Sequence, residues 1–118
     1  MDLTAFNAAW LQAWSDKDVP RLLGFYAEDT RYFDPQTAGG LTGHAELGPY
    51  LTGLFGSTPP MTYTPDAVWP TADGFCGRWY CRVEGVAEPV LRGFDLVVLR
   101  GDKIALNEVY THQLTGAG

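Results

Sequence analysis

The chain has 118 residues, 46% of them hydrophobic and 14% aromatic, which is enough apolar material for one core and leaves little room for a second domain. Charged residues make up only 19%, which argues against intrinsic disorder. The net charge of -6 at pH 7, with eight Lys and Arg scattered singly, disfavours nucleic acid or an anionic membrane as a partner.

The start, MDLTAFNAAWLQAWSDKD, has no basic segment ahead of an apolar run, so no targeting signal is expected. No stretch approaches the length of a membrane span. Cys76 and Cys81 stand five positions apart in one predicted strand. That odd separation points them to opposite faces, so they are expected to stay unbonded to each other. Two lone thiols suit a reducing cytoplasm, and both read as packing residues. Neither His44 nor His112 stands beside them at a ligand spacing, so no metal site is expected. No cofactor motif is present; Gly39-Gly40 is a turn without the lysine and helix of a phosphate loop.

Leu3, Phe6, Trp10, Ala13 and Trp14 recur at helical steps, with Asp2 as the N-cap of a first helix. SDKD interrupts it. Asp18 caps a second helix that tolerates Pro20 in its first turn and has Leu22, Leu23, Phe25 and Tyr26 as its apolar side. TRYFD is a short strand. Thr42 or Gly43 opens a third helix with Leu47, Tyr50, Leu51, Leu54 and Phe55 as its stripe; Pro49 inside it predicts a late start or a kink. Four β segments follow, around residues 61–69, 75–84, 90–100 and 104–114, punctuated by glycine turns. Helices followed by consecutive strands predict an α+β domain with helices on one face of an antiparallel sheet. The final TGAG is expected to fray.

Two carboxylates stand where a bland reading is not the only one. Asp34 ends its strand immediately before Pro35 and a glycine-rich turn, YFDPQTAGG, where an Asx turn is the structural explanation. Asp95 sits in mid-strand between Phe94 and Leu96. Alternation puts Leu91, Gly93, Asp95, Val97 and Leu99 on one face and Arg92, Phe94, Leu96, Val98 and Arg100 on the other. Neither face is polar in its middle, so the strand is expected to be covered on both sides. A carboxyl group in an apolar pocket has its pKa raised by desolvation and can donate a hydrogen bond while protonated, whereas a more solvated partner can accept a proton.

Taken together, AWSDKDVPRLLGFYAEDTRYFDP, LTGHAELGPYL and RGFDLVVLRGDKI resemble the NTF2-like superfamily, and within it the SnoaL-like and ketosteroid-isomerase-like proteins, over nearly the whole chain. The resemblance implies a single SnoaL-like domain over residues 1–118. Its sheet would curve into a cone around an apolar pocket, and dimers would form through the outer sheet face, with Arg92, Phe94, Leu96 and Val98 on that face.

Carried over residue by residue, the resemblance sets Asp34 as general base and Asp95 as the protonated donor of an oxyanion hole, a role for which ketosteroid isomerase is the type case. Trp10 occupies the place of the family's tyrosine. Its indole donates one hydrogen bond but has no acidic hydroxyl. Tyr32 and Tyr26 are alternative hydroxyl sources, and Trp79, with Phe75 and Val83 on its face, is a candidate pocket wall. Trp10, Tyr32, Trp79 and Val97 are therefore the expected substrate-binding residues. Either Asn107 and Thr111, or Glu108, Tyr110 and His112, line the pocket from the last strand. His44 is read as an exposed helix-start residue, with a pocket-rim acid–base group as the alternative.

The expected function is acid–base chemistry (isomerisation, cyclisation or dehydration) on a small hydrophobic substrate without a cofactor. A non-catalytic small-molecule-binding protein or a dimeric interaction module is the alternative. An epoxide-hydrolase-type site ranks lower, because Arg78, Arg82 and Arg92 fall on strand faces opposite Trp79 and Asp95.

Overall fold

A computed structural model describes residues 1–114; the TGAG segment lies outside the described residues. The chain opens with α1 (Leu3–Asp16) and α2 (Val19–Leu23). Asp2 caps the first, its carboxylate accepting from Ala5 N at 3.0 Å. Asp18 caps the second, accepting from Arg21 N at 3.2 Å. Each cap of this kind is worth about 1 kcal/mol. Between the two helices Lys17 adopts a left-handed conformation with φ 54°. Its ammonium donates to the carbonyls of Phe55 and Thr58 at 3.1 and 2.6 Å, which ties the end of α1 to the end of α3 (Gly43–Gly56).

The second helix stops earlier than its apolar pattern predicts. Tyr26 begins β1 (Tyr26–Phe33) instead, paired in parallel with Ile104. Phe25 packs edge-on against Phe6, ring centroids 5.5 Å apart. Pairing with a distant strand wins over local helical spacing here, as tertiary context commonly does. The third helix shows no late start: it begins at Gly43 behind Thr42 and runs through Pro49. Pro49 lies on the exposed side, so the carbonyl it leaves unpaired faces water rather than core.

The remaining strands are β2 (Leu41–Thr42), β3 (Met61–Thr71), β4 (Gly74–Val83), β5 (Leu91–Arg100) and β6 (Lys103–Gln113). They form one curved sheet in the order β2-β1-β6-β5-β4-β3. Every pairing is antiparallel except β1 with β6, so the sheet is mixed rather than wholly antiparallel. The long chain between these two strands supplies the crossover that a parallel pair needs. Register shifts fall between Tyr26 and Arg31, Pro65 and Ala67, and Val98 and Leu99, and such irregularities bend and twist strands. Pro65 and Pro70 are tolerated because β3 is an edge.

The helices cover the inner face. Trp10 sits edge-on to Tyr26 and to Phe75, both at 6.4 Å between centroids. Leu22, Leu47, Leu51, Val97 and Ile104 fill the space around them. The outer face is less covered than expected: Phe94, Trp69 and Tyr110 are 40%, 44% and 59% exposed. Cys81 is buried inside and Cys76 is half-buried, and both are free thiols. Among the described residues no helix is long and apolar enough to cross a membrane.

Candidate functional site

Inner-face side chains of β4, β5 and β6 meet α1 and α3 around a cavity of about 350 Å³, within the size range of small-molecule sites. Its wall takes Trp14 from α1, Tyr50 from α3, Tyr63 from β3, Trp79 from β4, Asp95 from β5 and Thr111 from β6, with Tyr32 and Asp34 from the end of β1. Strand parity, open in the sequence for the last strand, is resolved. Val109 and Thr111 face the cavity and Asn107 lies buried on the same side. Glu108, Tyr110 and His112 lie on the other face, where His112 Nδ1 meets Arg92 Nη2 at 2.9 Å.

Asp95 is 3% exposed and still part of the wall. Its Oδ1 accepts from the Trp79 indole at 3.1 Å. Its Oδ2 faces the Asn107 amide at 3.4 Å. Asn107 is oriented in turn by the Tyr26 hydroxyl, which donates to its Oδ1 at 2.8 Å. Burial pushes the Asp95 carboxyl up to about 7, with the Trp79 and Asn107 hydrogen bonds pulling the other way. Burial thus favours the neutral form of this carboxyl over the charged one.

Asp34 follows β1 at the lip of the cavity and also walls a second recess with Phe33 and Ala38. The Asx turn expected before Pro35 is present, Oδ1 accepting from Gln36 N and Thr37 Oγ1, each at 2.9 Å. Oδ2 accepts two phenols, Tyr32 at 2.9 Å and Tyr50 at 2.5 Å. Tyr50 has a second acceptor in Gln36 Oε1 at 3.2 Å.

The other expected residues divide. Tyr32 and Trp79 stand on the wall. Val97 is fully buried, and Trp10, 1% exposed, lies among core rings. Neither is on the cavity wall. The Trp10 indole N–H has no partner within the described structure, and Trp79 supplies the indole that reaches Asp95. Tyr26 is likewise behind the wall, its hydroxyl committed to Asn107. His44 is half-buried and bridges to the Tyr26 carbonyl at 2.9 Å, which makes it a tether between α3 and β1.

Trp14, Tyr50 and Tyr63 are among the wall residues that the sequence does not single out. Trp14 and Tyr50 were legible only as helix stripe, and Tyr63 stood on a strand whose inner parity nothing marked. Among the described residues no group of three potential metal ligands occurs.

The family model described as the SnoaL-like domain matches residues 7–107. No curated protein sequence matches the chain. Among solved structures, a SnoaL-like family protein from Agrobacterium tumefaciens superposes with a TM-score of 0.79 at 20% identity, covering 93% of this chain and 97% of that one. A protein with a ketosteroid-isomerase-like fold from Catenulispora acidiphila, solved in complex with trimethylamine, gives 0.75 at 18% identity over 93% and 86%. A ketosteroid-isomerase-like protein from Erwinia carotovora atroseptica gives 0.72 at 19% identity over 95% of each chain. At such identities the structures speak for the fold alone, whereas the family model spans most of the sequence: the chain belongs to the SnoaL-like domain family.

Proposed function

We propose that residues 1–118 form one SnoaL-like domain whose cavity performs acid–base chemistry on a small hydrophobic substrate, of the isomerase, cyclase or dehydratase type. The observation that carries this reading is the presence in one cavity wall of two carboxyl groups with opposite environments. Asp95 is buried and held at about 7. Asp34 is at the lip, oriented by four hydrogen bonds. In this reading Asp95 donates to an oxygen that gains negative charge, a term that contributes several kcal/mol in comparable sites. Asp34 takes the proton from carbon once Tyr50 turns from Oδ2 toward Gln36, its alternative acceptor. Tyr32 keeps the other hydrogen bond to Oδ2, and Gln36 N and Thr37 Oγ1, still bonded to Oδ1, fix the carboxylate plane with it. Trp10 and Val97 act on substrate through the shape of the wall they support.

The experiment is exchange of the acidic C–H protons of small enolisable ketones into deuterated water, followed by proton NMR. Asp34→Asn abolishes the catalysed exchange and Asp95→Ala reduces it by a factor of about a hundred. Exchange that is unaffected by either change contradicts the assignment.

A second reading, ligand binding without turnover, is favoured by the filled lone-pair sites of Asp34. The trimethylamine complex of the Catenulispora protein supports small-molecule binding by this fold and is consistent with either reading. The same proposal includes a dimer through the outer sheet face, supported by the exposure of Trp69, Phe94 and Tyr110. It also includes a cytoplasmic location, supported by the two free thiols.

A further inference from the structure

Five aromatic side chains of the cavity wall touch in series. Ring centroids are 6.0 Å apart from Tyr50 to Tyr32, 6.5 Å from Tyr32 to Trp14, 5.8 Å from Trp14 to Tyr63 and 5.1 Å from Tyr63 to Trp79. A carboxyl group closes each end of this arc. Asp34 accepts the hydroxyls of Tyr50 and Tyr32, and Asp95 accepts the indole N–H of Trp79. No Lys, Arg or His stands among the lining residues described. Lys17 reaches one of them, Thr58, and is already bonded there to the Thr58 carbonyl and hydroxyl and to the Phe55 carbonyl.

Such a wall discriminates by charge. Aromatic faces carry negative potential and attract cations, and the acceptor oxygens of a carboxyl group beside them add to it. The chain's net charge of -6 works in the same direction at longer range. An organic anion meets repulsion, and a neutral apolar body gains burial alone. A cation with an apolar surface gains burial and electrostatics together.

The saturation of Asp34 narrows the kind of cation. Gln36 N, Thr37 Oγ1, Tyr32 and Tyr50 already occupy its two oxygens. A primary ammonium brings three N–H donors that each want an acceptor, and it displaces existing bonds to find them. A methylated ammonium carries its charge on carbon-bound hydrogens, donates at most one hydrogen bond and suits ring faces better than a lone pair.

We propose that the cavity takes a ligand bearing a tertiary or quaternary alkylammonium group, seated against Tyr50, Tyr32 and Trp14 beside Asp34, with the apolar remainder directed toward Trp79 and Asp95. This rests on the reading of the cavity as a small-molecule site and not on turnover there.

The test is a titration followed by the indole N–H signals in nitrogen–proton NMR. The probes are choline, its neutral isostere 3,3-dimethylbutan-1-ol, and ethanolamine as the primary ammonium. Choline is expected to shift the Trp79 and Trp14 indole signals and to bind about fivefold to tenfold more tightly than the isostere, the range that ring–cation attraction supplies. Tyr50→Leu, a change at a half-exposed residue, removes a ring and lowers choline affinity by about threefold more than it lowers that of the isostere. Tyr50→Phe keeps the ring, frees a lone pair on Asp34 and improves ethanolamine relative to choline. Binding of the isostere at least as tight as choline, with the same indole shifts, overturns the charge assignment and leaves the small-molecule site standing. No indole shift with any probe overturns both.

Discussion

The Trp79 indole reaches the Asp95 carboxyl at 3.1 Å because it lies across Gly93, the residue opposite it on β5. A Cβ at Gly93 would fall 2.0 Å from the Trp79 ring, closer than any real contact. The absent side chain of one residue thus makes room for the ring that holds the buried acid. Gly93→Ala is therefore expected to destabilise the fold by about 1–3 kcal/mol through overpacking and to move the Trp79 ring off Asp95. Thermal denaturation and the Trp79 indole shift read the two effects.

Burial of Asp95 sets a pH dependence of stability. Its carboxyl is raised in the fold to about 7 from an unfolded reference of about 3.9. Between those values the folded state binds more protons than the unfolded one, so stability is greatest below about pH 4 for this group and falls as pH rises through about 7. Asp95→Asn cannot ionise. The stability difference between parent and variant should shift in the variant's favour by up to about 4 kcal/mol from pH 4 to pH 8. Urea unfolding at the two pH values measures it. In the acid–base reading, turnover declines over the same upper range, as the donor is lost.

The two phenols on Asp34 have different surroundings and should answer differently to removal. Tyr32 is buried and Tyr50 half-exposed. Tyr32→Phe leaves the ring in place and costs about 1 kcal/mol for the lost hydrogen bond. Tyr50→Phe costs less than about 0.5 kcal/mol, since water reaches that position. If Tyr50 must leave Asp34 before a proton moves, Tyr50→Phe raises the rate of catalysed exchange while Tyr32→Phe lowers it.

On the outer face Trp69 and Phe94 touch at 5.8 Å between centroids, with the Arg78 guanidinium 5.4 Å from the indole. Light scattering after size exclusion is expected to return a dimer for the parent chain and a monomer for Phe94→Glu. An unchanged mass for the variant contradicts a dimer through this face.

Much of this architecture was legible because local signals and tertiary demands agree. The Asp2 and Asp18 caps, the α1 stripe and the four β segments all follow from spacing and turn residues. The alternation around Asp95 places it on the face it occupies. Legibility failed where a distant partner decided the outcome. Tyr26 left the helix because β6 pairs with it, a contact separated by most of the chain. β2, two residues long, has no pattern of its own. Trp10 and Trp14 share a helix stripe, yet one lies among core rings and the other on the cavity wall. Asn107 was one of two parity choices; nothing short of the β5–β6 register reveals that it faces Asp95.

The acid–base reading requires Asp95 to keep its proton well above the usual carboxylate range inside the cavity. Carbon-detected NMR titration of the aspartate carboxyl signals, with Asp95→Asn for assignment, tests it directly. A midpoint for Asp95 at about 7 is expected. A midpoint at about 3.9, the value of a solvated carboxyl, contradicts it and with it the acid–base reading of the site.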